Sequence, residues 1–321
     1  MKKSLFTTLI IFHLVAFIFA RDASDCTFTF EPSFGFMNGT IVENVWYVNE
    51  QKTQTTTTYT PTQKQSRLDW QLQNAPYFGM NVDMTFPKKV FFNFDFNTVF
   101  SGEFGIMEDY DWLNPIKWPK DPSDELTNYS IHTNRINQVT QIKVLLGYGF
   151  EFDTDFPWKL LPGFGFMVQS CSFEGFGGYK TYKQDNWVKY NFADITVISY
   201  KQNSVAPIVD LKAYIDFDYF DTSINLFTAY IKKLDCVDRH ELRSQFFNDR
   251  IADVWIFGGT IKAMYKLDST NKIGLKASVQ FSPDAYGFTY SSKTSTKPSS
   301  GSLGGSSKFL WNYSIVYAFC L

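Results

Sequence analysis

The stretch Val90–Phe100, VFFNFDFNTVF, decides how this chain is read. Phe92, Phe94 and Phe96 alternate with Asn93 and Asp95, so an extended backbone places rings on one face and polar groups on the other. The same period returns where Val209, Leu211, Ala213, Ile215 and Phe217 alternate with Asp210, Lys212, Tyr214 and Asp216. It returns again in Ile273, Leu275, Ala277, Val279 and Phe281, and in the final run Trp311, Tyr313, Ile315, Tyr317 and Phe319. Strands of this kind suit a soluble sandwich with the apolar face inward. They equally suit a membrane barrel, with the apolar face on lipid and the polar face lining the interior.

Connection lengths separate the two. Short joins at Pro87-Lys88, Asp153-Thr154-Asp155, Asp218 to Asp221 and Asp268-Ser269-Thr270-Asn271 alternate with long polar joins over 49–65, 105–125, 178–190, 237–250 and 289–305. The last is low in complexity, with Ser, Thr, Lys and Gly dominating Ser291 to Lys308. Short turns at one end and long loops at the other are the pattern of an outer-membrane barrel, and the segments count to roughly ten strands, an even number. The expected fold class is therefore all-β, an antiparallel transmembrane β-barrel with long extracellular loops.

Composition agrees. Aromatic residues make up 19% of the 321 residues, while mean hydropathy is only −0.20, so apolar and polar residues are interleaved rather than blocked. That excludes a disordered chain and a helical membrane bundle. A net charge of −2 gives no support to a nucleic-acid partner. Met1-Lys2-Lys3 followed by an apolar run to Ala20 reads as a secretory signal, with Arg21 opening the exported chain. The expected organisation is a signal peptide over residues 1–20 and a single barrel over 21–321.

Beyond the signal only His132 and His240 remain as histidines. His132, at the start of an expected strand, reads as structural. His240 lies in Asp238-Arg239-His240 within a long polar join, and an Asp two residues earlier can orient an imidazole as a general base. Met107-Glu108-Asp109-Tyr110-Asp111-Trp112 supplies a second carboxylate pair. Its ordinary reading is a solvated acidic loop, and the glycine of a calcium loop is missing, so no metal is expected. Each motif alone is weak, but the topology places both at the same end of the barrel. Neither a serine-hydrolase elbow nor a His-Glu-x-x-His zinc motif occurs.

Several anchors in order resemble the omptins, outer-membrane proteases of Gram-negative bacteria. Ser66-Arg67-Leu68-Asp69-Trp70 followed by Asn74-Ala75 is similar to the family's second strand, and Met107 to Trp112 to its Met-x-Asp-x-Asp-Trp segment. Trp118, Asn128-Tyr129, Tyr200-Lys201-Gln202 and Pro207 follow at similar spacing, and Asp238-Arg239-His240 stands at the catalytic Asp-x-His. The resemblance implies an endopeptidase without a covalent intermediate. His240, paired with Asp238, would take a proton from a water held across the barrel mouth by Asp109 and Asp111. It implies an outer-membrane location with the site facing the exterior, membrane lipid around the wall, and peptide or protein substrates cut near basic residues. Glu43 aligns with the family's pocket glutamate. The second pocket acid is expected two residues before Asp238, where this chain has Cys236, and the neighbouring Asp235 is the remaining candidate.

The wall also departs from the family's pattern. Phe166 to Cys171 and Asn203 replace the basic residues with which omptins hold lipopolysaccharide, so no cofactor is expected and dependence on that lipid is in doubt. Of the four cysteines, Cys26 and Cys320 stand near the two chain ends, which a closed barrel brings together, and a disulfide between them is an expectation. The alternative function is a non-catalytic barrel of the same ancestry acting as adhesin, receptor or small pore.

Overall fold

The computed structural model describes residues 26–321 except 54, 56, 115–122, 153–156 and 292–301. The expected signal peptide, Trp118 and the Asp153–Asp155 turn lie outside the described residues. Among the described residues, thirteen strands form one antiparallel sheet: β1 (Thr27–Lys52), β2 (Thr57–Thr85), β3 (Val90–Val99), β4 (Gly102–Asp111), β5 (Asn128–Tyr148), β6 (Phe150–Phe152), β7 (Trp158–Tyr182), β8 (Tyr190–Asn191), β9 (Thr196–Asp216), β10 (Phe220–His240), β11 (Gln245–Lys266), β12 (Asn271–Ser291) and β13 (Ser302–Cys320). β1 pairs with β13 over most of its length, which closes the sheet into a barrel.

The ring has ten staves, because β3 and β4 together make one. Both pair with β2 on one side and β5 on the other, β3 in the lower half and β4 in the upper. The break falls at Phe100-Ser101, followed by a bulge between Glu103 and Ile106. Gly105 has a φ of +136°, and a Cβ there would overlap the Gln71 carbonyl oxygen, so glycine is required for the two backbones to approach. β6 and β8 are short additions to β7.

Alternation sorts the side chains as the sequence predicts. Exposed rings and aliphatic groups girdle the outside, including Val205, Val209, Leu211 and Ile215 on β9, Trp255, Phe257, Ile261 and Tyr265 on β11, and Phe309, Trp311, Tyr313, Ile315 and Phe319 on β13. On each of these staves the apolar band covers about 11 residues, the length a tilted strand needs to cross the hydrocarbon layer. The staves themselves are far longer, 21 residues in β10 and 29 in β2. The polar joins expected as long loops are therefore in part paired strand, most clearly over 57–65, 237–240 and 245–250. Asp109, Asp111, Asp238 and His240 all sit on strands that continue above the band, where backbone pairing costs nothing in apolar contact.

The interior has three layers. Lowest, within the band, is a polar cavity of about 350 Å³ lined by Glu31, Asp83, Asp95, Lys212, Lys262 and Lys276 among others. Above it lies an apolar layer centred on Trp70, whose ring stacks between Phe173 at 5.7 Å and Tyr200 at 5.8 Å. The third layer, above that plug, is acidic. The four cysteines are free. The expected Cys26–Cys320 bridge does not form, because the ladder sets Cys320 opposite Thr29 instead.

Candidate active site

The upper layer is built from opposite walls of the ring. On one wall, Asp109 lies across from Leu68 of β2 and Ser130 of β5, and Asp111 across from Ser66 and Asn128. Inward alternation on β4 after the bulge puts both carboxylates into the bore. Ser66 Oγ donates to Asp109 Oδ1 at 3.3 Å, and Asn128 Nδ2 donates to Asp111 Oδ2 at 3.3 Å.

On the far wall, the end of β10 presents Asp238 and His240. His240 Nε2 meets Asp238 Oδ2 at 2.8 Å, and Asp238 is buried while His240 keeps an exposed edge. Phe247, on the adjacent strand, meets the imidazole edge-on at 5.6 Å and fixes its plane. His240 is followed by a single turn of 3-10 helix, Glu241–Arg243, so the dyad stands where the stave ends.

The charges across the bore feel one another. Burial, then Asp111 and Asp238, pushes the Asp109 carboxyl well above the usual carboxylate range, with His240 opposing. Burial also raises Asp111, against the hydrogen bonds from Ser66 and Asn128 and the charges of His240 and Arg243. For His240, burial pulls downward, but the Asp238 hydrogen bond and the Asp238 and Asp109 charges outweigh it and raise its pKa. A pair of carboxyls facing an Asp-oriented imidazole can hold a water, remove its proton and hydrogen-bond an oxyanion.

Glu43 on β1 is level with this group, paired with Leu68 and Ser306, and is 1% exposed. It couples electrostatically to Asp238, Asp249 and Asp109. Asp235 is not with them. Its side chain is 57% exposed on the outer wall, where Lys233 pairs with it at 2.8 Å. The one-residue slip turns it outward, so the expectation that it serves the pocket is corrected: Cys236 occupies the inward position. Asp249 on β11 was missed by sequence reasoning. It lies opposite Cys236 in the ladder, 3% exposed and pushed up to about 7 by burial and by Asp238. No local motif marks it, since it is an acid in Asn248-Asp249-Arg250. His132 is structural as expected, with Nδ1 at 2.6 Å from the Gly177 carbonyl oxygen and Nε2 at 3.0 Å from Ser130 Oγ.

Comparison with known proteins matches this architecture. The sequence profile of the omptin family matches residues 24–316, and the chain belongs to that family. Its fold is similar to the outer membrane protease OmpT from Escherichia coli, with a TM-score of 0.76 and 16% identity over 92% of this chain and 97% of that one. The translocator domain of the autotransporter NalP from Neisseria meningitidis aligns at a TM-score of 0.32 with 7% identity, covering 96% of each chain. Among curated proteins none matches the sequence.

Proposed function

We propose that this omptin is an outer-membrane endopeptidase whose site faces the cell exterior and which cuts peptide bonds near basic residues. The observation that carries the reading is the 2.8 Å His240–Asp238 contact, set across the bore from Asp109 and Asp111. With Nε2–H given to Asp238, the lone pair of Nδ1 is free to accept a proton. A water held by the Asp109–Asp111 pair loses that proton to His240 as its oxygen attacks the peptide carbonyl. The protonated imidazole then returns the proton to the departing amine. No acyl-enzyme forms, because the nucleophile is water. The barrel walls hold the four groups in place before substrate arrives.

The outer wall supports activity without lipopolysaccharide. Phe166 and Val205 face outward, and Ser170 donates to Asn203 at 2.8 Å, so this stretch offers apolar groups and an amide where omptins carry cations.

The test is cleavage of a quenched fluorescent peptide with an Arg-Arg or Arg-Lys centre by refolded protein in detergent. His240→Ala, alone and with Asp111→Ala, is the control. Cleavage that both variants lose is the expected result. If wild type cuts neither this peptide nor a mixed peptide library, the protein is a binding barrel instead.

A further inference from the structure

Two buried carboxylates of the upper layer are left over by the reaction. Glu43 and Asp249 reach inward from β1 and β11, and Asp249 stands between Cys236 of β10 and Thr289 of β12 in the ladder. Glu43 Oε2 and Asp249 Oδ1 have no hydrogen-bond partner among the described residues. Nor does either take part in an ion pair with a lysine or arginine among those residues. A Cβ at Gly304 would overlap the Asp249 carboxyl carbon, so the glycine on β13 makes the space in which this carboxyl sits. Buried like charges side by side are tolerated only if a proton or a cation neutralises them.

We propose that Asp249 is a specificity-determining residue, which together with Glu43 binds the cationic side chain of an Arg or Lys residue in the peptide substrate. It does so from the strand next to the one that carries Cys236, whose inward position lacks a carboxylate. The assignment rests on the endopeptidase reading above. The groups facing Asp249 are Glu43 from β1, Asp238 and Cys236 from β10, Thr289 from β12 and Gly304 from β13, with Tyr200 of β9 beside Cys236 and Asp109 of β4 beside Glu43. None of these is a cation, and Lys308 of β13, which reaches toward Cys236, donates to Gln169 and forms an ion pair with neither carboxylate, so the substrate supplies the positive charge. Because burial holds Asp249 at about 7, preference for a cationic side chain increases as pH rises through that value.

The experiment compares kcat/KM for two peptides identical except for Arg or Gln at the cut. Asp249→Asn lowers the Arg-over-Gln ratio by about 10- to 100-fold, the effect of losing one charged hydrogen bond. Adding Cys236→Asp to that variant restores the ratio, since it returns a carboxylate to the neighbouring inward position. Should Asp249→Asn fail to fold, Gly304→Ala lowers the same ratio by crowding the carboxyl with Asp249 intact. An unchanged ratio in a variant that still cleaves overturns the proposal. Binding of the two peptides to the His240→Ala protein separates the pocket from the reaction. If wild type cleaves nothing but Asp249→Asn weakens binding of the Arg peptide alone, the endopeptidase reading fails and the pocket stands. If Asp249→Asn changes neither cleavage nor binding, the pocket assignment is wrong.

Discussion

The lower and upper halves of the bore are both lined with buried acids, yet they are built on opposite electrostatic rules. In the membrane-level half, most buried carboxylates are matched with lysines: Glu31 with Lys262, Asp83 with Lys212 at 3.0 Å, Asp95 with Lys143 and Lys276 at 3.9 and 3.7 Å, and Asp221 with Lys272 at 2.7 Å, while Asp210 is held by Asn225. In the upper half, Asp109, Asp111 and Asp238 gather around one imidazole with Glu43 and Asp249 close to Asp238, and no lysine or arginine among the described residues forms an ion pair with these five acids. The apolar plug of Trp70, Phe173 and Tyr200 lies between. Paired charges hold a wall together at neutral cost, whereas unpaired ones store repulsion that a proton or a substrate relieves. On the proposed reading the lower half is scaffold and the upper half is where chemistry is poised.

The sharpest way to break that comparison is chemical. Asp238→Asn should lower kcat/KM by about 10²- to 10⁴-fold, because an amide neither stabilises the imidazolium nor fixes the base tautomer. Retention of near wild-type turnover would falsify the dyad. Next comes Lys262→Met, which leaves Glu31 buried without its cation and should cost about 3–5 kcal/mol in urea unfolding from detergent. Joining it with Glu31→Leu should recover most of the loss, and failure to recover would mean that the lower half is not held by paired charges.

The same measurement on Asp249→Asn should have the opposite sign. A carboxyl held at about 7, above its unfolded value of 3.8, stabilises the fold only while protonated. Its contribution is complete below the unfolded value and is lost as pH rises through 7, so Asp249→Asn should stabilise the barrel by a few kcal/mol at pH about 8 and hardly at pH about 4. A destabilised variant at both values would place Asp249 with the scaffold instead.

A smaller shift concerns the rate profile. Since Asp238 and Asp109 raise His240 above its ordinary 6.5, the acid limb of kcat/KM should fall above that value, and a limb well below it would contradict the coupling. Smallest of all should be the effect of adding lipopolysaccharide to purified protein. Little or no change is expected from a wall that carries Phe166, Ser170 and Asn203, and strong activation would reverse that reading.

Particular residues show how much of this was legible in the chain. The alternation around Phe92–Phe96 and the ordered anchors from Ser66 to His240 point to the barrel and to the Asp109, Asp111, Asp238 and His240 constellation. The polar joins over 57–65 and 237–250 misled in part, because polarity signals water contact and not loss of pairing. Above the membrane band both faces of a strand can be polar, so β2 and β10 continue through sequence that reads as loop.

What the sequence by itself determined is whatever depends on local period: which residues face outward to lipid, which face the bore, and that Asp238 and His240 share a face. Parity even decides between Asp235 and Cys236, since neighbours on a strand point to opposite sides. Only the tertiary structure could bring β1, β4, β10 and β11 to one level of the ring and set Asp249 beside Glu43. Closure, stagger and the Gly304 gap fix that neighbourhood, and none of them leaves a mark on the residues around Asp249. A carboxylate's partners, and with them its protonation and its role, are properties of the closed barrel rather than of the strand that carries it.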